Sequence, residues 1–339
     1  MQAIRQESLL RMKNIVLVGH GYWGKNLERV IKKNKKIFNL VAIVDLIYKE
    51  TKNDKEIPYF ENIDELLRSD LNIDCAVIST PAIDHYSTTK KLLTNDVDCL
   101  VEKPLVVKSS QALELYKLAK SNKTTLMVDN TFLYDNSILE LLKIVKNPKF
   151  GRILHINFER TNLGPVRKDV SALWDLTAHD LSILLAINNV LPDSISVNGA
   201  KFINKNIYDV VSTSFFQKNI FVSSFSSWLH PEKTRIIKIV GENNMVVWNG
   251  MDLNEELKIY SRNKSITKNF SDDLYVNMTN TKNSGFTVPY IERSEPLDMV
   301  FKDFYNRIMK KAHNDINSEK LVVTQIKMLE LIDKKLSKK

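Results

Sequence analysis

Asn14-Ile15-Val16-Leu17-Val18-Gly19-His20-Gly21-Tyr22-Trp23-Gly24-Lys25 is the stretch on which the reading of this chain turns. Five residues rich in β-branched side chains read as a buried parallel strand. Three of the nine glycines in the chain then fall within six residues, Gly19, Gly21 and Gly24. Leu27, Val30 and Ile31 follow at helical spacing. Strand, Gly-X-Gly-X-X-Gly and helix in that order are what give the glycine pattern its meaning. The first glycine permits a tight turn, the second lets backbone approach a pyrophosphate, and the third allows helix to pack closely on strand. The helix N-terminus presents free N–H groups to the anion.

Leu40-Val41-Ala42-Ile43-Val44 reads as the next strand and ends at Asp45, 21 residues beyond Gly24. An acidic residue at that distance holds the ribose hydroxyls of an adenosine. Its charge opposes a 2′-phosphate, so NAD is expected rather than NADP, with Lys49 and Lys52 close enough to soften the choice. Cys75–Ser79 leads into Thr80-Pro81 and a helix over about 84–93; Cys99-Leu100-Val101 leads into Glu102-Lys103-Pro104 and a helix over about 110–121; Thr124–Val128 is a further strand. This alternation predicts a doubly wound parallel sheet with its ligand at the carboxyl ends of the strands, where Thr80-Pro81 and Glu102-Lys103 lie.

With 339 residues the chain suits two domains. Apolar residues at 43% and charged residues at 26% exclude a disordered or fibrous protein. Cys75 and Cys99 sit in apolar strands, which suits neither a metal site nor a disulfide framework and fits a reducing, cytoplasmic setting. No apolar run is long enough for a membrane span, and residues 1–11 lack the apolar core of a signal peptide. Met12-Lys13 resembles a start, leaving 1–11 as an extension. The net charge of +9 is dispersed over helix ends such as Lys32–Lys36 and the final Lys334–Lys339 stretch, without the aromatic interleaving of a nucleic-acid site. No nucleic-acid partner is expected.

In order and spacing, Gly19–Gly24, Thr80-Pro81 with His85, Glu102-Lys103-Pro104-Leu105 and Asp175-Leu176-Thr177-Ala178-His179-Asp180 resemble the Gfo/Idh/MocA oxidoreductases, from about Met12 to the end of the chain. The resemblance implies a Rossmann α/β domain over 12–130. An α+β domain with an open-faced, mostly antiparallel sheet would follow over 131–296, and helices over 297–339 would return to the first domain. Runs such as 210–216, 220–225 and 236–240 independently read as strands of a meander, 261–285 as loop, and 297–311 and 321–335 as helices.

The resemblance further implies NAD contacts from Gly19, Gly21, Tyr22, Trp23, Gly24, Asp45, Thr80, Pro81, His85, Glu102 and Lys103, and a cis peptide before Pro104. Lys103 at a strand end can hydrogen-bond a reacting oxygen. If 174–187 is helical, Asp175 and His179 share one face, and the carboxylate can fix the ring tautomer and leave the other nitrogen as base. Lys103 and His179 divide the acid–base work differently among members, so that division stays open. The stretch from Arg160 to Asp175 looks like that of members acting on nucleotide-activated sugars at the 3-hydroxyl. Arg160, Arg167 and Lys168 would meet the pyrophosphate, and Asn162, Trp174, Asp175 and His179 the rest of the substrate. Bulk at Ala172-Leu173-Trp174, in place of a common glycine pair, narrows the pocket against inositols. A polyol or inositol dehydrogenase, and a non-catalytic NAD-binding sensor, remain the other readings. An uncovered sheet face predicts a homodimer or homotetramer.

Overall fold

A computed structural model describes residues 11–46, 57–164, 166–261, 285–311 and 313–337 of the chain. Two compact units result. The first is a six-stranded parallel sheet of β1 (Lys13–Val18), β2 (Phe38–Val44), β3 (Tyr59–Phe60), β4 (Cys75–Ile78), β5 (Asp98–Glu102) and β6 (Leu126–Asp129), in the order β3-β2-β1-β4-β5-β6. Its order reverses between β1 and β4, the switch point where doubly wound sheets take their ligands. Four strands are buried almost end to end; Ile15, Val16, Leu17 and Ala76 have no exposed surface. Each buried Ile, Val or Leu contributes about 1.5–3 kcal/mol of transfer free energy, which explains the unbroken apolar runs. Helices α1 (Tyr22–Lys33), α2 (Ile63–Arg68), α3 (His85–Thr94) and α4 (Ser109–Asn122) connect them. The strand β3 and helix α2 carry too short an apolar pattern to stand out in the sequence.

In the second unit, α5 (Asn136–Lys146) and α6 (Ala178–Ile187) accompany an eight-stranded sheet of β7 (Ile153–Thr161), β8 (Ser194–Ala200), β9 (Val210–Gln217), β10 (Ile220–Ser227), β11 (Thr234–Gly241), β12 (Asn244–Asn249), β13 (Leu257–Ser261) and β14 (Phe286–Thr287). The order is β14-β13-β12-β11-β7-β10-β9-β8. It is not a simple meander: β7 inserts between β10 and β11, parallel to the first and antiparallel to the second. Alternation sends Ile156, Phe158 and Arg160 to the covered face and His155, Asn157 and Glu159 to the other. That other face displays Phe216 and Phe221, 48% and 38% exposed, with His155 stacked on Phe221 at 5.5 Å.

The C-terminal helices part company, which corrects the expectation that both return to the first domain. Helix α7 (Pro296–Ile308) belongs to the first unit, where Phe301, Phe304 and Tyr305 surround Phe38 and Asp298 accepts from Asn34 at 2.7 Å. Helix α8 (Glu319–Leu336) belongs to the second. There buried Gln325 donates to the Ala178 carbonyl at 2.7 Å, and Tyr208 donates to the Leu336 carbonyl. A buried amide with a partner on another element fixes where a helix docks, and hydrophobic spacing alone does not reveal the partner. The loop expected over 261–285 falls almost wholly outside the described residues, as do Lys49, Lys52 and residues 1–10. Among the described residues no helix is long and apolar enough to cross a membrane.

Candidate active site

In the first unit the glycines have separable reasons. Gly19 has φ +90°, and a Cβ there would sit 2.8 Å from the backbone of Ser79 and Thr80. A Cβ on Gly24 would overlap the Gly19 carbonyl, which already accepts from Ser79 Oγ at 2.8 Å. Both positions are closed by the protein's own packing. Gly21 is different: it is extended, and nothing lies within 4 Å of where a Cβ would stand. It also precedes α1 with no side-chain cap on the first turn. Open space beside uncapped N–H groups fits a pyrophosphate. Gly21→Ala is therefore expected to leave the melting temperature within about 1 °C of wild type, because the backbone conformation suits any residue. NAD affinity, read by calorimetry, should fall at least ten-fold if the space is the ligand's; unchanged affinity would show that it is not.

Asp45 ends β2 and accepts from the His20 N–H at 2.5 Å, so the acidic residue is tied directly to the glycine turn. His20 in turn meets Glu28 at 2.7 Å and the Tyr59 hydroxyl at 2.8 Å, an anchoring of the loop absent from the sequence reading. Tyr22 is 85% exposed beside the turn. Trp23 donates its indole N–H to Glu102. Thr80 keeps its hydroxyl oxygen buried without a hydrogen-bond partner among the described residues.

At the ends of β5 and β6, Glu102 stands opposite Asp129. Burial pushes the Glu102 carboxyl well above the usual range, and the charge of Asp129 adds to the rise. The Glu102 carboxylate also accepts from the Lys103 N–H, and the Lys103–Pro104 peptide is cis. His85, expected on the cofactor, is 1% exposed, with Nδ1 at 2.8 Å from the Pro104 carbonyl and Nε2 at 2.8 Å from the Thr80 carbonyl. It ties the turn after β4 to the turn after β5 and positions both.

In the second unit, Asp175 and His179 sit at an irregularity. Residues Leu173–Thr177 wind as a π-helical turn before α6 begins at Ala178, so the single regular helix expected over 174–187 is not found. Such bulges are concentrated at functional sites because they re-aim side chains. Asp175 accepts from the buried Trp228 indole at 3.2 Å and lies 3.7 Å from Arg167, which also grips Asp169 through two nitrogens. His179 packs edge-on to Phe132 with centroids 4.9 Å apart.

Two residues expected to meet substrate are largely buried among protein partners. Arg160 is 4% exposed and donates through Nε and Nη2 to one oxygen of Asp180 at 2.9 and 2.7 Å. Its guanidinium lies 4.5 Å over Phe132. Trp174 is 6% exposed and acts on the carboxyl of Asp333 of α8, whose pKa burial raises and Trp174 holds down in part. Asn162 turns its amide to the Gly164 carbonyl, and Lys168 is exposed. Phe132, Lys233 and Arg235 stand around the same side chains without being singled out by the sequence. Lys233 immediately precedes β11 and Arg235 is its second residue, a pair of cations legible in Lys233-Thr234-Arg235.

A family model for the oxidoreductases with an NAD-binding Rossmann fold, Gfo/Idh/MocA, matches residues 13–130. This domain is a member of the Gfo/Idh/MocA family. An uncharacterized oxidoreductase of Schizosaccharomyces pombe is 33% identical over 107 residues, 31% of this chain and 29% of the relative. UDP-N-acetylglucosamine 3-dehydrogenase of Acidithiobacillus ferrooxidans is 22% identical over 209 residues, 60% of this chain and 62% of that protein. The chain matches less than two thirds of the length of these curated relatives. A solved structure of that dehydrogenase superposes with a TM-score of 0.77 at 17% identity, over 96% of this chain and 98% of the other. GenD2 from gentamicin A biosynthesis, solved in complex with NAD, reaches 0.77 at 16% identity over 97% and 95%. At such identities the likeness is one of fold. The two-unit fold is shared with these structures, and the Gfo/Idh/MocA domain over residues 13–130 is of the NAD-binding kind.

Proposed function

We propose that the protein is an NAD-dependent dehydrogenase of a sugar secondary hydroxyl, at C3 of a nucleotide-activated sugar, or the corresponding ketosugar reductase. The observation that carries the reading is the coexistence of the open Gly21 cradle with Lys103 at the end of β5 and with Asp175 and His179 on the π-turn and α6. A sensor needs the first and not the others. NAD, when bound, supplies the hydride acceptor. Asp45 favours it over NADP, since a carboxylate at the ribose repels a 2′-phosphate. Lys103 hydrogen-bonds the reacting oxygen and stabilises its developing charge; His179, oriented through Asp175, takes the hydroxyl proton. Trp228 and Arg167 keep Asp175 in place from the sheet and from the preceding loop. The similarity to a UDP-N-acetylglucosamine 3-dehydrogenase supports the choice of substrate class.

Nicotinamide absorbance with NAD⁺ against UDP-sugars, dTDP-sugars, free sugars and inositols tests it, with the reverse reaction run on ketosugars in case oxidation is uphill. Turnover with UDP-sugars alone is expected. Turnover confined to inositols or free sugars would replace the substrate class, and tight NAD binding without turnover in either direction would leave a sensor.

Self-association through the exposed sheet face belongs to the same proposal. Phe216 and Phe221 lie side by side on β9 and β10, their rings 5.3 Å apart. Light scattering after gel filtration should find a dimer or tetramer at micromolar concentration. The Phe216→Glu/Phe221→Glu variant should run smaller. A monomeric wild type would remove the interface from that face.

A further inference from the structure

The covered face of the second sheet holds more positive charge than the protein neutralises. Arg160 on β7 and Arg235 on β11 are paired directly opposite each other, an arrangement in which like charges repel. Both guanidinium groups lie over the one ring of Phe132, at 4.5 and 5.5 Å from its centroid. Asp180 balances Arg160. Arg235, which is half-buried, has no ion pair or side-chain hydrogen bond with any described residue. Two residues earlier on the same edge stands Lys233. Burial, then the charge of Arg160, lowers the Arg235 pKa, while the charge of Arg235, then burial, then Arg160 lowers that of Lys233. Three cations thus crowd one ring, with Asp180 in contact with Arg160 and only the more distant charge of Asp135 acting on Arg235 in the opposite sense, and the same Phe132 ring carries His179 on its edge at 4.9 Å. A half-buried guanidinium without an acceptor is costly unless a ligand supplies one. Its planar fork suits a carboxylate or a phosphate.

We propose that Arg235 and Lys233 form the acceptor for a fixed negative charge on the substrate, a carboxylate or a phosphate, and so select anionic over neutral sugars. The inference rests on the dehydrogenase reading for its substrate, and on the second unit alone for its site. It relocates anion recognition from Arg160, which is committed to Asp180, to the two cations that are not.

Binding of glucuronate, UDP, UDP-glucuronate and myo-inositol to the NAD-loaded protein, measured by calorimetry at two salt concentrations, tests it. Wild type should bind at least one anionic probe, more weakly at high salt, and Arg235→Gln should weaken that probe at least ten-fold. Lys233→Gln, at an exposed position that leaves packing intact, should weaken it several-fold, and Arg235→Lys should recover part of the loss. Loss confined to glucuronate and UDP-glucuronate assigns the site to a sugar carboxylate; loss shared with UDP assigns it to phosphate. Wild-type affinities in both Gln variants, or no anionic probe bound by wild type, would overturn the proposal. Failure of the dehydrogenase reading looks different: anion binding would still depend on Arg235 although no sugar is oxidised. Conversely, turnover with a KM unchanged in Arg235→Gln would keep the dehydrogenase and discard the anion site.

Discussion

Lys103→Ala and His179→Asn are each expected to lower kcat by about 10²–10⁴-fold, the range a positioned acid or base contributes. NAD affinity should hold within a few-fold in His179→Asn, because His179 lies in the unit that does not carry the glycine loop. The two variants separate the two roles. Removal of the proton acceptor should abolish the limb of the pH–rate profile that belongs to the base. Removal of the group that stabilises the alkoxide should lower the whole profile and leave its shape. A His179→Asn enzyme with wild-type kcat would transfer the base role to Lys103. On the proposed roles, in which Asp175 acts through the His179 ring, Asp175→Asn should fall between wild type and His179→Asn. Trp228→Phe removes only the indole N–H that Asp175 accepts, and a smaller loss in kcat with unchanged KM would mark it as a positioning residue.

Arg160→Met should cost about 3–5 kcal/mol, because it leaves the Asp180 carboxylate buried without its partner. For a unit of this size that is a fall of roughly 6–20 °C in melting temperature. The loss depends on pH, with a sign the geometry dictates. Burial raises the Asp180 pKa even with Arg160 beside it pulling the other way. Without Arg160 it rises further. A carboxyl whose folded pKa lies above its unfolded value binds more protons folded than unfolded, so stability is present below the unfolded pKa and drains away as pH climbs through the folded one. Thermal melts should therefore show the smallest deficit near pH 4–5 and the largest at pH 8. Arg160→Met/Asp180→Leu should regain most of the loss, since the penalty is the orphaned charge and not the missing cation. A single variant that melts with wild type at pH 8 would show that the pair carries no stability.

Local chemistry was enough to reveal the first unit. Four buried strands, each with its own turn and helix, announce themselves because parallel strands covered on both faces must be continuously apolar, and because Gly19 and Gly24 sit where a side chain would strike backbone. The short contiguous stretches around Lys103 and around His179, the latter beyond the residues the family model matches, were legible for the same reason. What the linear sequence left open depends on partners distant in it. Arg160 reads as a substrate ligand, with nothing in the linear sequence to show that Asp180 takes two of its donors. His85 reads as a cofactor contact, with nothing to show that two carbonyls, from Thr80 and Pro104, hold its ring. Trp174 reads as a pocket wall, with nothing to show its burial near Asp333 of α8. The division of the last two helices, the insertion of β7 between β10 and β11, and the π-turn that re-aims Asp175 belong to the same group. Hydrophobic period and turn chemistry specify an element; which charges meet, and which are left without a partner, is decided only when strands far apart in the chain come into register.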